Sequence, residues 1–376
     1  MIDIIAIDKT NKKQLTEFID FPHDLYEGDP NYVPMLYMEQ EALLNPKKSP
    51  FFLHSTAEYF IAKKEGKIVG RIAAILNRNH IEFTGKKEGF FGFFDVINDF
   101  EVAKTLLDKA GEWVKSQGLT SILGPTNFST NETVGVLIEN FDEPPFIMMT
   151  YNAPYYDTLL KQYGFQKYAD LLCWDLPTKD MPQKVLDFAD NLEKRLNARG
   201  ITIRKINMKK FKEELDSFLP IYNASWSENT GFVPMTDAEI HQIAKDLKPA
   251  VDPDFIYFAE KEGKIIGVSL TVPNINEAQI KLKRGRLFPF GFIKLLTGLK
   301  KVKSVRVLAL GTVKEYRRLG IDVVFYMKNI KTAQEKGILR GEASWILENN
   351  EMMNRAMAHI NGKVYRKYRL YDKVIG

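Results

Sequence analysis

The sequence predicts an α/β (α+β) chain made of two tandem copies of one unit. Three observations carry that expectation. Glu58 to Leu76 reads as two apolar runs flanking a Glu65, Gly66, Lys67 turn, the pattern of a β-hairpin. Phe255 to Gly267 repeats it about 200 residues downstream, around Glu262, Gly263 and Lys264. Tyr32, Val33, Pro34 and Met35 recur at nearly the same separation as Phe232, Val233, Pro234 and Met235. The third observation is a strand–turn–helix pattern. An apolar, β-branched run from Val305 turns through Arg317 to Asp322 and enters a helical run from Ile321 to about Lys336. Val323, Met327 and Ile330 recur there at helical spacing, and Gly337 suits the position just past a helix end.

The remaining elements follow in chain order. Residues 2–7 read as a strand, and Asn11 caps a helix to about Ile19. A loop rich in Pro, Asp and Tyr follows from Phe21 to Pro34, then the first hairpin. The central helix of the first half ends at Gly118 and that of the second at Gly337. Shifts in the repeat offset place an insertion of about 20 residues in each half. The first is the loop from Gly124 to Pro145; the second is Lys281 to Lys303. Each half then reads β-α-α-β-β-β-α-β-α-β. The expected domains are 1–176 and 201–376, joined by a linker helix over 177–200.

Length and composition narrow the class. The chain has 376 residues, too many for one small domain. Hydrophobic content of 45% and charged content of 27% are ordinary for a soluble globular protein. A net charge of +5 permits an acidic ligand without demanding nucleic acid, so no nucleic-acid partner is expected. Cys173 is the single cysteine, so no internal disulfide can form. The N-terminus carries an early acid and reads as a strand, and no uncharged apolar run reaches membrane-spanning length. A cytoplasmic location is expected. Five scattered histidines give no metal-ligand spacing, and no metal is expected.

A strand, a tight basic glycine turn and a helix start suit an anion. Free N–H groups point outward there and the helix dipole favours negative charge. Gly320 lets the main chain approach closely, and Arg317 and Arg318 add charge-assisted hydrogen bonds. These residues resemble motif A of the GNAT superfamily of acyl-CoA-dependent N-acyltransferases, Arg/Gln-x-x-Gly-x-Gly/Ala after a strand. Arg317, Gly320 and the preceding Val313 to Tyr316 match; Asp322 departs, standing where a small residue is usual. Asn350, Gly362 and the run Val364 to Tyr371 resemble the closing helix and strand of that superfamily. The resemblance implies, in each half, a mixed, mostly antiparallel sheet with helices on both faces. It implies acetyl-CoA or a longer acyl-CoA as substrate. The pantetheine arm would run along the main chain of Leu310, Gly311, Thr312 and Val313, with the pyrophosphate at Arg317, Arg318, Leu319, Gly320, Ile321 and Asp322. The first-half loop, Asp95 to Glu101, has no glycine and three acids, so a phosphate is expected only in the second half.

The implied chemistry is attack of an amine on a thioester. The amine loses a proton, the oxyanion is stabilised and the thiolate is protonated. Glu342 and Glu348 are the candidate bases; even spacing on a strand gives them one face, and Glu348 is preferred beside the thioester. The alternative for each is a helix cap or a solvated carboxylate. The Tyr that the family places four residues before Gly362 is Ala358 here, and His359 beside it is the substitute acid. Its alternative is a surface histidine without a role. Tyr365 and Tyr368 are further candidates. Asn350 and Asn354 are assigned to the pantetheine or the thioester, with an N-cap as the alternative for Asn350.

Two loops suit an acceptor. Asn127, Ser129, Thr130, Asn131, Glu132 and Thr133 form a polar cluster, or else a surface Ω-loop. Trp226 and Phe232 wall a pocket, or else belong to the core. Lys281 to Lys303 mixes lysines and arginines with Leu287, Phe288, Phe290, Phe292, Ile293, Leu295, Leu296 and Leu299. Such a segment suits peripheral contact with an anionic membrane, or else forms a lid helix with snorkelling lysines. The expected reaction is direct transfer of an acyl group, acetyl by preference, to a small-molecule or lipid amine. The alternatives are long-chain transfer to a lipid or peptide amine, aminoacyl-tRNA-dependent transfer, and a non-catalytic CoA-binding module.

Overall fold

In a computed structural model that describes residues 1–179, 183–229, 231–248 and 250–376, both expected hairpins form, and their turns match. Glu65 and Gly66 have φ of 53° and 76°; Glu262 and Gly263 have 52° and 75°. Two successive positive φ values are the signature of a type I′ turn, whose twist matches that of the flanking strands.

The elements, in chain order, are β1 (Ile2–Ala6), α1 (Lys12–Leu25), α2 (Tyr37–Leu44), β2 (Thr56–Lys64), β3 (Lys67–Leu76), α3 (Arg78–Thr84), β4 (Glu88–Val96), α4 (Phe100–Ser116), β5 (Ser121–Gly124), β6 (Val136–Glu139), α5 (Tyr155–Tyr163) and β7 (Gln166–Pro177). Next come α6 (Gln183–Ala198), β8 (Ile201–Lys205), α7 (Phe211–Trp226), α8 (Asp237–Leu247), β9 (Ile256–Lys261), β10 (Lys264–Pro273), α9 (Asn276–Gln279) and α10 (Gly291–Leu299). The chain ends with β11 (Ser304–Thr312), α11 (Ile321–Glu335), β12 (Arg340–Leu347), α12 (Glu351–His359) and β13 (Lys363–Val374). Of the expected linker helix, α6 is described; residues 180–182 lie outside the described residues.

The chain forms two units. The first is Met1–Leu171 with Asn276–Lys300 and Arg366–Gly376; the second is Leu172–Ile275 with Lys301–Tyr365. Two segments that the sequence boundaries assign to the second half, 276–300 and 366–376, therefore group with the first unit. The expected fold is present in both, and it is the same fold twice. In the first unit the strand order is β1-β2-β3-β4-β5-β13; in the second, β8-β9-β10-β11-β12. All neighbours along β1 to β4 and along β8 to β11 are antiparallel. Each unit has one parallel step, β4 with β5 and β11 with β12.

Each of these sheets is covered on both faces. In the first unit Phe60, Ala62, Ile72 and Ala74 bury against Val102, Leu106 and Ala110 of α4. The alternate face meets α1, where Phe18 stacks on Tyr59 at 5.1 Å between ring centroids. In the second unit Phe258, Val268 and Ala309 pack on Phe218 and Ile221 of α7. Tyr257, Ala259 and Ile266 pack on Val324 and Phe325 of α11. Each such apolar side chain contributes about 1.5–3 kcal/mol on burial.

Helix α1 runs past the stop expected near Ile19, through Pro22 to Leu25. Pro22 lacks the N–H that Phe18 O would accept, and Arg71 supplies a replacement: its Nη1 donates to that carbonyl at 2.8 Å. In the first unit Asp99 caps α4, accepting from the N–H groups of Glu101 and Val102 at 3.0 and 3.4 Å. A side-chain carboxylate thus occupies the helix start that a phosphate would need.

Candidate active site

In the second unit β11 is paired with β10 from Val305 opposite Pro273 to Thr312 opposite Gly267, with one irregularity. Its pairing with β12 is shorter, running from Ser304 opposite Arg340 to Val307 opposite Ala343. Beyond that rung Leu308–Thr312 and Ser344–Leu347 have no partners in each other among the described residues, and the strands splay. At the same point the register against β10 shifts: Leu270 faces Ala309 and Thr271 faces Val307, which makes Leu308 a bulge residue. A bulge leaves its extra residue outside the ladder and bends the strand. A parted strand edge can take an extended chain by main-chain hydrogen bonding. The expected donor residues Leu310, Gly311 and Thr312 lie on this edge, and Val313 follows, its N–H tied to Ile266 O at 3.0 Å.

A buried polar cluster sits one rung below the splay. Arg306 and Glu342 are register partners, 3% and 0% exposed, with Arg306 Nε 3.7 Å from Glu342 Oε1. Ser344 Oγ donates to the same carboxylate oxygen at 2.6 Å and accepts from Arg306 Nε at 3.0 Å. The Tyr365 hydroxyl donates to Glu342 Oε2. The Arg306 guanidinium lies 4.9 Å from the centre of the Trp345 ring, and Arg340 lies 4.5 Å from that of Tyr365. A carboxylate this deep costs far more than it returns unless paired, and here Arg306 faces it and the hydroxyls of Ser344 and Tyr365 donate to it. Glu342 is therefore the base candidate that the fold brings to the splay, with Tyr365 as its proton partner.

The anion loop has the expected shape. Gly320 stands in the left-handed region at φ 79°, and α11 starts at Ile321 with no side-chain cap. A Cβ at Gly320 would lie 2.6 Å from Leu192 Cδ2. Arg318 is exposed and without a partner among the described residues. Arg317 is committed differently from the expectation. It donates to Thr312 O at 3.4 Å, Ser225 O at 3.2 Å and Glu228 Oε2 at 2.8 Å. Lys314 also reaches Glu228, at 2.8 Å. The hydrogen bonds from Lys314 and Arg317 hold the Glu228 carboxyl far below the usual carboxylate range, at about 2. Asp322 shows the opposite perturbation: burial pushes its pKa up against the pull of the N–H groups of Val323 and its own residue. Ile321 is buried in the core and Leu319 packs against it, so those two side chains serve the fold.

The other expected residues are engaged elsewhere. Strand β12 ends at Leu347, so the shared-face argument holds Glu342 alone, and Glu348 is exposed on the turn beyond. His359 ends α12, exposed, with Nδ1 2.7 Å from Arg355 O. Asn350 caps α12, accepting from Met353 N–H at 3.2 Å, as its alternative had it. Asn354 accepts from Trp174 Nε1 at 3.0 Å and donates to Leu347 O at 3.0 Å, binding the helix to the strand end.

In the first unit Asn127 accepts from Phe93 N–H at 2.7 Å and donates to Thr133 Oγ1 at 2.6 Å. Ser129 Oγ accepts from Asn131 N–H at 3.2 Å, and Glu132 N–H donates to Ser129 O at 3.2 Å. These polar groups close the loop on itself. Trp226 stacks on Tyr222 at 4.7 Å and covers Gly311, where a Cβ would meet its ring at 2.6 Å. Phe232 is buried. Ser225 and Trp226, at the end of α7, therefore lie against Gly311 of the donor strand; Thr230 is outside the described residues.

Sequence reasoning missed Arg306 and Ser344. The signal was there in Arg306, a lone cation inside the apolar run Val305 to Leu310, because a charge in a buried strand requires a partner. The bulge at Leu308 carries no comparable sequence mark.

No family model matches the chain. Protein YghO of Escherichia coli K12 is 39% identical over 373 residues, which is 97% of this chain and 94% of that protein. The bacterial ceramide synthase of Caulobacter vibrioides is 35% identical over 381 residues, 99% of this chain and 98% of that one. Among solved structures, a tandem GNAT protein from the clavulanic acid biosynthesis pathway superposes with a TM-score of 0.58 at 11% identity, covering 100% of this chain and 99% of that one. A GCN5-related N-acetyltransferase from Sphaerobacter thermophilus gives 0.50 at 12% identity over 99% and 96%.

Proposed function

The chain belongs to the family of protein YghO and the bacterial ceramide synthase, with the tandem fold of GNAT acyltransferases, and on that premise we propose that it moves a fatty acyl group from acyl-CoA to the amine of a long-chain amino alcohol. The observation that carries acyl transfer is the parting of β11 from β12 beyond Val307 and Ala343, beside the bulge at Leu308. A ceramide is the amide of a fatty acid with such an amino alcohol. The Caulobacter relative therefore favours the long-chain reading over the acetyl group that the sequence preferred.

The residues then take these roles. The donor's pantetheine amides bond to the free edge of Leu308–Thr312, as an added strand would. Its pyrophosphate sits at the start of α11 over Gly320, with Arg318 as the uncommitted cation. The amine nitrogen attacks the thioester carbon, and an N–H at the bulge stabilises the oxyanion. Glu342, through Tyr365, takes the proton that the amine loses. As the C–S bond breaks, the Tyr365 hydroxyl returns a proton to the thiolate. The products are an amide and free CoA, with no net proton released.

Incubating the purified chain with sphinganine and either palmitoyl-CoA or acetyl-CoA, and following thiol release with mass detection of the amide, tests this. Palmitoyl transfer to the amine is expected. Acetyl transfer without palmitoyl transfer overturns the fatty acyl donor; absence of thiol release with both donors overturns acyl transfer from CoA.

A further inference from the structure

The segment 281–303 is used by none of this chemistry. Its root is fastened to the first unit. Asn276 Nδ2 donates to Pro145 O and Gln279 Nε2 to Pro34 O, both at 2.9 Å and buried. Arg284 pairs with Asp24, and Arg286 pairs with Asp20 at 3.1 Å while lying 4.1 Å from the centre of the Tyr37 ring. Beyond that root, the buried residue of α10 is a glycine. Gly298 is buried on Ala278, where a Cβ would lie 2.5 Å from the alanine methyl.

The large side chains point the other way. Phe288 is 77% exposed, Phe290 69% and Leu296 58%, with Phe292 and Ile293 also open to solvent. Scattered apolar side chains on a surface are ordinary; a contiguous group of this kind is an interaction site. Lys281, Lys283, Lys294 and Lys300 lie in the same segment, all exposed and without ion-pair partners among the described residues. No acidic residue occurs between Glu277 and Glu315, and the nearby Asp20 and Asp24 are already neutralised by Arg284 and Arg286.

We propose that this tip is a peripheral membrane anchor that docks the first unit on an anionic lipid surface. Aromatic and aliphatic side chains enter the acyl boundary while the lysines meet the head-group charge. A second copy of the same patch would bring lysine against lysine, which disfavours self-association. No described helix is long and apolar enough to cross a membrane, so the anchor rests on the surface. The inference holds whichever acyl group is transferred, because its test reads lipid binding and not turnover.

Flotation of the full chain with vesicles of phosphatidylcholine alone, or with phosphatidylglycerol added, at low and high salt, is the experiment. The chain is expected to float with the anionic vesicles and to be released in part by salt. Phe288→Ser, Phe290→Ser and Leu296→Ser together are expected to weaken binding at least about tenfold. Lys283→Gln, Lys294→Gln and Lys300→Gln together should remove the preference for anionic vesicles. All six positions are exposed, and circular dichroism checks that each triple variant keeps its fold. A wild-type chain that floats with neither vesicle overturns the proposal, as does a serine variant that floats like the wild type. Self-association in sedimentation that the serine variant abolishes, without lipid binding, would make this a chain–chain surface instead.

Discussion

Glu342→Gln removes the charge facing Arg306 while keeping the side-chain shape. At the observed 3.7 Å, two unit charges attract by roughly 4 kcal/mol at an effective dielectric of about 20. Stripping one partner from a buried pair costs about 3–5 kcal/mol, a large part of the about 5–15 kcal/mol that holds a folded domain. A loss of activity in this variant alone would therefore confound chemistry with folding. Arg306→Met combined with Glu342→Gln resolves the two. The stranded charge is gone, and the amide oxygen still accepts from Tyr365 or Ser344, so stability should return toward the parent's. Urea unfolding measures stability, and thiol release at a temperature where all forms are folded measures turnover. Both variants should lose about 10²–10⁴-fold in kcat, the range for a removed general base. A double variant that is stable and still turns over like the parent refutes Glu342 as the proton acceptor.

Gly320→Ala places a Cβ against Leu192 at a left-handed φ, costing about 1–2 kcal/mol from the backbone alone; urea midpoints should fall, and CoA affinity by titration should fall with them. Tyr365→Phe removes one donor from the buried Glu342 carboxylate and should lower kcat, with a stability cost of about 1–3 kcal/mol in urea; an unchanged kcat excludes its proton role. Asp322 has a folded pKa above its unfolded one, so its ionisation costs stability that is intact below the ordinary carboxylate range and lost as pH rises through the raised value. Asp322→Asn should therefore unfold at higher urea than the parent at neutral pH, with the gap closing in acid; no gap at any pH would contradict the burial argument. Glu228→Gln releases Lys314 and Arg317 from their shared carboxylate and should tighten CoA binding at low ionic strength. Because Glu228 titrates at about 2, that difference should be constant across neutral pH.

What was legible in the sequence is what local chemistry encodes. The Glu-Gly pairs of the two hairpins dictate their turn type, and the duplication can be read from them. Gly320 dictates the left-handed residue before α11, and Gly337, at φ 66°, its exit. Partners that arrive from distant segments were not legible. Pro22 looks like a helix stop until Arg71 takes the carbonyl it frees. Arg317 looks like a free phosphate ligand until the end of α7 and the turn after it deliver Ser225 O and Glu228 to it. Glu348 and Glu342 look equivalent by parity, but the strand ends between them: Glu342 is buried opposite Arg306, and Glu348 is exposed on the turn beyond. Asn354, read as a ligand for pantetheine, is consumed by Trp174 and the end of β12.

The last strand bears on how the protein is made. Residues 366–376 belong to the first unit: Tyr371 and Val374 pair with Gly124 and Ser121 of β5. Arg366, fully buried, donates to the carbonyls of Asn140, Glu143 and Pro144, and the Tyr368 hydroxyl to Thr150 O. During synthesis most of the first unit emerges early from the ribosome, yet its sheet keeps an open edge at β5 until residues 366–376 are made. Such an edge is a template for wrong pairing, and the long sequence separation slows its closure. A premature stop just after Tyr365 would thus strike the part of the chain made first, leaving the second unit's segments present and the older unit unfinished.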